Sequence, residues 1–319
     1  MTSTTSPSSK MPPLSTLLNA LHAFKSSPRT FQILHTVGSV PSAALQTLYI
    51  LDSSFNPPTL AHSRICTSAL LQDPLLNVGQ GHGSRSRLLL LLATQNADKP
   101  PKPAGFEQRV GMMCVLAKDI RDQVGEMTGR GRQGMRRMDD RDDNQGEEED
   151  RDLLSIDVGV VKTPLFIDKV KAVTESGVYH SKSDEERQPS QVHLIGFDTL
   201  IRLLEPSYYP DKTLKPLEEL FGKHKVRVSR RIEDAWGAGE EQGKFVRALE
   251  EGSKEEHGFQ PEWVEKIELV EGRGMDEEAI SSTRVRDAVR EGEEKILQKL
   301  ITGPVGQWIK DEGLYKNRG

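Results

Sequence analysis

Short apolar runs alternate with amphipathic stretches along most of the chain. The runs predict strands at 47–52, 88–94, 153–158, 192–195, 226–229 and 267–270. Apolar positions at helical spacing predict helices at 15–25, 60–71, 106–124, 166–175, 199–204, 283–291 and 305–312. The first two strands are apolar nearly throughout, which is typical of strands covered on both faces. The alternation predicts an α/β fold with a doubly wound, Rossmann-like, mostly parallel sheet, in which ligands bind beyond the carboxyl ends of the strands.

Polar segments interrupt this pattern. Residues 1–12 are rich in Ser, Thr and Pro and predict a disordered tail. We expect residues 13–319 to form a single domain, with flexible insertions at about 77–86, 121–152, 181–190 and 235–261. The second insertion has almost no large apolar residues, so it cannot bury enough surface to offset its ordering entropy. The fourth is also polar, although its apolar positions could form one short helix: Phe245, Val246, Ala248 and Leu249.

The charge balance and the cysteine content narrow the function classes. The 319 residues include 43 Lys and Arg against 48 Asp and Glu, which gives a formal net charge of −5. This mild acidity argues against general binding to nucleic acids or anionic membranes, and no apolar run approaches the roughly 20 residues that span a bilayer. Cys66 and Cys114 are too few for a disulfide framework. We expect a soluble protein of a reducing compartment, the cytoplasm or also the nucleus, with the 121–152 insertion as a candidate surface for protein partners.

The segment SSFNPPTLAH, residues 53–62, follows the first predicted strand. Two small residues allow a tight turn, the proline pair stiffens it, and Thr59 can cap the helix that carries His62 on its first turn. Backbone N–H groups and the positive helix end would then form an anion site, where His62 can donate to a phosphate. An ordinary strand–turn–helix joint with a partly buried histidine would have the same pattern.

The segment ISSTRVR, residues 280–286, precedes an amphipathic helix near the end of the chain. Ser282 or Thr283 can cap this helix, which leaves free N–H groups for phosphate oxygens. Arg286, one turn further, would add a forked cation for a β or γ phosphate. The alternative is a plain helix cap followed by a solvated arginine.

Together the two segments resemble the signatures of the nucleotidylyltransferase superfamily, in which Gly-Ser-Phe-Asn/Asp-Pro runs into His/Thr-x-Gly-His and an ISSTxxR motif follows later. The resemblance covers roughly residues 48–315. It is closest to the nicotinamide mononucleotide adenylyltransferase family, and there to the divergent fungal, promoter-of-filamentation-like branch. The matching positions of the two motifs are Ser54, Phe55, Asn56, Pro57, Thr59, His62, Ile280, Ser281, Ser282, Thr283 and Arg286. Ser53 and Ala61 stand where the family pattern has glycine.

The resemblance extends to three further segments. Gly196 and Asp198 match a Gly-x-Asp stretch that implies contact with the nucleotide, although Asp198 could also be a plain helix N-cap. Lys99 is the first choice and Lys102 the second for a loop lysine near phosphate. Arg230 matches an arginine after the fifth strand, near a substrate phosphate.

The resemblance implies transfer of AMP from ATP to nicotinamide mononucleotide (NMN), which yields NAD and pyrophosphate in a reaction of the EC 2.7.7 class. His62 would act at the α and β phosphates, Arg286 at the leaving pyrophosphate, and Lys99 with Arg230 at the acceptor phosphate. Asp198 would orient the nucleoside. Mg²⁺ would accompany ATP, and the histidine spacing predicts no metal site built by the protein.

Two alternatives remain at the level of the sequence. The first is another nucleotidylyltransferase of the same fold, such as a cytidylyl or pantetheine-phosphate transferase. The second is a regulatory protein that binds or hydrolyses ATP and acts in protein quality control through its charged insertions. Phe166 bears on the choice of acceptor, because better-known members place a tryptophan against the nicotinamide ring in this region.

Overall fold

The computed structural model describes residues 11–38, 44–77, 85–95, 104–128, 154–181, 188–230, 239–272 and 280–316. Its strands are β1 (Phe31–Val37), β2 (Thr47–Asp52), β3 (Ser86–Ala93), β4 (Ser155–Val161), β5 (Ser190–Gly196), β6 (Lys225–Ser229) and β7 (Ile267–Val270). Its helices are α1 (Leu14–Ser26), α2 (Leu60–Leu71), α3 (Pro74–Asn77), α4 (Phe106–Met127), α5 (Phe166–Glu175), α6 (Phe197–Leu203), α7 (Glu218–Lys223), α8 (Gly239–Glu250), α9 (Ser282–Glu291), α10 (Glu294–Leu300) and α11 (Gly303–Asp311).

The described strands form one sheet of seven strands in the order β1-β4-β3-β2-β5-β6-β7. β1 runs antiparallel to β4, and all the other neighbouring strands are parallel. The direction in which the strands are added reverses between β2 and β5. Such a switch point leaves a crevice at the carboxyl ends of the two strands, where open α/β sheets bind their ligands. The predicted fold class is confirmed.

Both faces of the sheet are covered, which explains the continuous apolar strands. In β2, Tyr49 and Leu51 pack into a core with helices α1, α2, α4 and α11, whereas Leu48 and Ile50 pack on the opposite face. A strand that alternates between two cores needs apolar residues at every position. The leucines of β3 follow the same rule and are all buried.

The structure differs from the predicted elements in several places, and helices α3, α7 and α10 were not predicted. β1 was not predicted, because its polar residues and antiparallel edge position depart from the pattern of a strand covered on both faces. Helix α4 continues to Met127, so the first part of the 121–152 segment is helical. Within 235–261, residues 239–250 form helix α8, and Val246, Leu249 and Phe259 are buried against α6 and α7. Most of the other predicted insertions, the first ten residues, Lys99 and Lys102 lie outside the described residues.

A buried charged cluster joins β3 and β4 in the half of the sheet away from the switch-point crevice. The carboxylate of Asp157, with no exposed surface, accepts hydrogen bonds from Arg87 Nη2 at 2.7 Å, Thr36 Oγ1 at 2.7 Å and Tyr179 Oη at 2.9 Å. The partners satisfy a charge that would otherwise be costly to bury. Among the residues that the structure describes, no helix is long and apolar enough to cross a membrane.

Candidate functional site

A cleft of about 780 Å³ opens at the carboxyl ends of β2, β5 and β6. It therefore occupies the switch point between β2 and β5, where the topology predicts a ligand site. Its lining includes both sequence segments singled out above, 53–62 and 280–286. These segments lie at opposite ends of the chain, and the fold brings them to one opening.

The first segment turns sharply between β2 and α2. The backbone N–H of Ser53 donates to the carbonyl of Leu91 in β3 at 3.2 Å, which holds the turn to the sheet. Phe55 has a φ of 45° and a fully buried ring that packs 5.3 Å from the ring centre of His62. Thr59 is the N-cap of α2, as predicted. A buried aromatic anchor thus maintains a backbone conformation that side-chain-bearing residues rarely adopt.

Helix α2 holds His62 in one tautomer. The backbone N–H of Thr59 donates to His62 Nδ1 at 3.0 Å, and since a backbone N–H can only donate, Nδ1 must be the acceptor. Thr59 Oγ1 lies 2.8 Å from the same nitrogen. Burial lowers the pKa of His62 to about 4, so the ring is neutral at pH 7 and carries its single proton on Nε2. This nitrogen lies 2.9 Å from Ser53 Oγ and donates to it.

Direct hydrogen bonds join the two segments. Arg286 Nη1 donates to the carbonyl of Asn56 at 2.6 Å, and Ser282 Oγ donates to the carbonyl of Pro57 at 2.8 Å. The second bond joins residues that are 225 positions apart in the sequence. Arg286 Nη2 also donates to Thr283 Oγ1 at 2.9 Å. The start of α9 and the turn before α2 therefore form one structural unit at the cleft.

The cap of α9 is Ser281, so the prediction of Ser282 or Thr283 as the cap is wrong. Ser281 has extended backbone angles, and its Oγ accepts from the N–H of Arg284 at 3.2 Å. The hydroxyl of Ser282 is instead used for the bond to Pro57. The reason is tertiary, because contact with the first segment decides which of three consecutive hydroxyl residues faces the helix end.

Asn56 is a hub that the sequence reasoning did not assign to the site. Its side-chain oxygen accepts from the backbone N–H of Ala104 at 2.9 Å and from Tyr315 Oη at 2.8 Å. The side-chain amide of Asn56, in the turn between β2 and α2, thus connects this turn to the start of α4 and to Tyr315 near the end of the chain. Both residues lie in the region of resemblance, Asn56 in its first motif and Tyr315 at its last position. The sequence does not, however, indicate that the two residues contact each other.

The opposite wall of the cleft comes from β5, β6 and helix α6. Gly196 is the N-cap of α6 and Asp198 lies in its first turn, so the alternative of Asp198 as a plain N-cap is wrong. Both line the cleft, together with Phe166, whose ring centre is 5.0 Å from that of His193. Asp52, at the end of β2, forms an ion pair with Lys169 of α5.

Three arginines and three carboxylates, those of Asp52, Asp198 and Glu271, line the cleft together. The arginines are Arg64, Arg227 and Arg230. Arg230 Nη1 lies 3.3 Å from Glu271, an exposed carboxylate, and the backbone of Arg230 is packed against Gly272. A Cβ on Gly272 would lie only 1.9 Å from the Arg230 carbonyl oxygen, so this approach requires glycine. Guanidinium groups suit phosphate oxygens, which they can bind in a forked geometry.

The predicted site residues fall into three groups. Those that line the cleft are Thr59, His62, Gly196, Asp198, Arg230, Ser281 and Ser282. Phe55 is buried behind the turn, Ser54 is exposed, and Thr283 and Arg286 adjoin the cleft through their bonds to each other and to Asn56. Lys99 lies outside the described residues. Within the described ranges, no group of three or more His, Cys, Asp or Glu side chains could hold a metal ion.

Proteins with known names resemble this chain over most of its length. No protein-family model matches the chain. It is 28% identical over 301 residues to a Schizosaccharomyces pombe protein provisionally named a nicotinamide mononucleotide adenylyltransferase, a match that covers 94% of this chain and 97% of that protein. The chain is therefore similar, over nearly its whole length, to a protein named for this family. The resemblance inferred from the motifs is therefore confirmed.

Two solved structures show weaker likeness. Plasmodium falciparum nicotinic acid mononucleotide adenylyltransferase complexed with NaAD has 13% identity and a TM-score of 0.45, over 85% of this chain and 97% of that chain. The same enzyme complexed with APC has 12% identity and a TM-score of 0.43, with the same coverage. The fold class of this chain rests on its own sheet topology.

Proposed function

We propose that this chain is a nicotinamide-nucleotide adenylyltransferase, which transfers AMP from ATP to NMN and releases NAD and pyrophosphate. The observation that carries the proposal is the bonding of Arg286 and Ser282 to the turn that leads into His62, at the switch-point cleft. The nucleotidyltransferase class is common to the Schizosaccharomyces pombe relative and the two Plasmodium falciparum structures.

The reaction needs no nucleophile from the protein. A phosphate oxygen of NMN attacks the α phosphorus of ATP in line, a new P–O bond forms, and the bond from the α phosphorus to the bridging oxygen breaks as pyrophosphate leaves. Catalysis then consists of positioning two anions and stabilising the charge that develops. The chain supplies fixed N–H donors and arginines for both tasks.

Each side of the cleft has a role in this proposal. The start of α2 with His62 would face the α and β phosphates, and the start of α9 with Arg286 would face the leaving pyrophosphate. Among the residues that the structure describes, Arg286 uses two of its five N–H groups, and the others would serve the ligand. Arg230 would bind the acceptor phosphate, and Asp198 would orient the nucleoside. Mg²⁺ would be held mainly by ATP phosphates and water, the oxygen ligands it prefers.

The acceptor is the finer part of the proposal. The name of the Schizosaccharomyces pombe relative points to NMN, while the two Plasmodium falciparum structures are of a nicotinic acid mononucleotide enzyme. Phe166, at the cleft wall, would stack on the pyridine ring of either acceptor. We propose NMN, because the relative named for it is similar to this chain over nearly its whole length.

The test is incubation of the purified full chain with ATP, Mg²⁺ and NMN, with NAD read by a coupled dehydrogenase and pyrophosphate measured in parallel. Nicotinic acid mononucleotide, a cytidine nucleotide donor and phosphopantetheine serve as competing substrates. We expect His62→Ala to lower turnover roughly 100-fold or more, as for loss of a preorganised donor. His22→Ala, on the exposed side of α1, is the matched control. Pyrophosphate release with another pair but not with ATP and NMN would contradict the proposal.

A further inference from the structure

The side chain of Ser53 alters what His62 can present to a phosphate. The family pattern has glycine at this position, where a histidine on the following helix would meet the cleft without a neighbouring side chain. Here both Ser53 and His62 line the cleft, and the hydroxyl oxygen of Ser53 lies 2.9 Å from His62 Nε2. The substitution therefore places a new polar group at the point where the ligand would bind.

The histidine has no spare hydrogen. Its Nδ1 lone pair is occupied by the backbone N–H of Thr59, a donor that cannot reverse its role. The one proton of the neutral ring is on Nε2, and Ser53 Oγ accepts it. A phosphate could bond to His62 only after this bond had been broken.

The serine hydroxyl, in contrast, has a hydrogen to give. A hydroxyl can accept and donate at once, and the Ser53 oxygen already accepts from His62. Among the residues that the structure describes, its own hydrogen has no acceptor. A hydroxyl that accepts from one group is polarised and becomes a better donor to the next.

We propose that Ser53 is the group that hydrogen-bonds the nucleotide phosphate in this chain, and that His62 acts through it as a positioning residue. His62 holds the hydroxyl oxygen in place and directs its hydrogen into the cleft. The identity of the phosphate, that of ATP, rests on the proposed function. The hydrogen-bonded geometry of Ser53 and His62 is independent of the proposed function.

The test compares Ser53→Ala and Ser53→Gly with the wild type and with Ser207→Ala, an exposed serine away from the cleft. Ser53→Ala removes the hydroxyl but keeps the Cβ, and we expect kcat to fall about 10- to 100-fold, as for loss of a hydrogen bond to a charged group. Ser53→Gly opens the direct path to His62 Nε2, so it should recover part of this loss. Ser207→Ala should match the wild type.

A second pair of variants separates positioning from simple packing. His62→Gln keeps an N–H donor for Ser53 and should retain more activity than His62→Ala. The double variant Ser53→Ala with His62→Ala should have nearly the same activity as the less active of the two single variants, because the two residues would act as one unit. Additive losses, or a Ser53→Ala enzyme as active as the wild type, would overturn the inference.

The affinity for MgATP, measured by calorimetry, distinguishes this inference from the proposed function. If the wild type binds ATP but makes no NAD from NMN, the proposed function fails, and Ser53 is still tested by binding. A loss of affinity of about 10-fold or more in Ser53→Ala would then support its phosphate contact. Unchanged affinity would overturn it, and a wild type that binds no ATP would overturn both proposals.

Discussion

Replacement of Asn56 by alanine tests whether the site depends on the two hydrogen bonds that the Asn56 side chain accepts. The side-chain oxygen of Asn56, a residue only 6% exposed, is the acceptor for the backbone N–H of Ala104, itself 3% exposed, and for Tyr315 Oη. Asn56→Ala leaves the Ala104 N–H without a partner in a place that water reaches poorly. An unsatisfied buried donor costs about 1–3 kcal/mol, and the lost tyrosine bond adds about 0.5–1.5 kcal/mol. We expect a loss of about 2–4 kcal/mol in the free energy of unfolding.

Two further variants separate the contributions of the two hydrogen bonds to this loss of stability. Tyr315→Phe removes one bond and leaves the Ala104 N–H satisfied, so it should cost only about 0.5–1.5 kcal/mol. Asn56→Asp keeps an oxygen at the same place, near the guanidinium of Arg286, and should cost less than alanine. The measurement is urea unfolding followed by circular dichroism, with the slope m checked for constancy across the variants.

The same variant should lower turnover, because the backbone of Asn56 is also the acceptor for Arg286. Movement of this turn would displace the start of α9 relative to the start of α2. The reasoning would be refuted by an Asn56→Ala protein within about 0.5 kcal/mol of the wild type, the usual range of a neutral surface change. A Tyr315→Phe loss as large as that of Asn56→Ala would refute it as well.

Three further predictions follow from burial and close packing. Burial lowers the pKa of four histidines, His35, His62, His193 and His224, so unfolding protonates them. Stability should therefore fall as the pH drops from 6.5 to 5, more steeply than the roughly 1.4 kcal/mol per pH unit of a single group, as urea unfolding would show. Gly272→Ala should displace Arg230 and raise the KM for NMN more than that for ATP, while Gly303→Ala, where a Cβ has open space, should change neither. Asp157→Ala should cost about 3–5 kcal/mol in thermal or urea unfolding by leaving Arg87 unpaired, with KM values of the folded enzyme unchanged.

Much of the fold was predictable because its signals are local. The apolar runs of β2 and β3 mark strands covered on both faces, and the predicted bounds of α2 and α5 agree with the structure. β1 lacked such a signal, since an antiparallel edge strand can keep polar residues such as Gln32. The helix at 239–250 was only weakly predicted, because five of its twelve residues are charged and two are glycine.

The parts of the site that follow from a sequence motif could be predicted. The parts that depend on a contact between distant residues could not. The motifs indicated that His62 and Arg286 serve one ligand, and the structure brings their segments together. The cap at Ser281, the hub at Asn56 and the need for glycine at 272 all depend on partners far away in the sequence. No local pattern specifies such a partner.

The bonds that join the two segments also explain how this chain can depart from the family pattern and keep its architecture. Ser282 and Arg286 donate to main-chain carbonyls, those of Pro57 and Asn56, which remain whatever side chains stand nearby. A glycine replaced by Ser53 or Ala61 therefore leaves the junction intact and changes only the groups that face the cleft. Divergence at these positions should alter phosphate contacts before it alters the fold. This is why the Ser53 hydroxyl, bonded to His62, is the place where the chemistry of this chain should differ from that of its relatives.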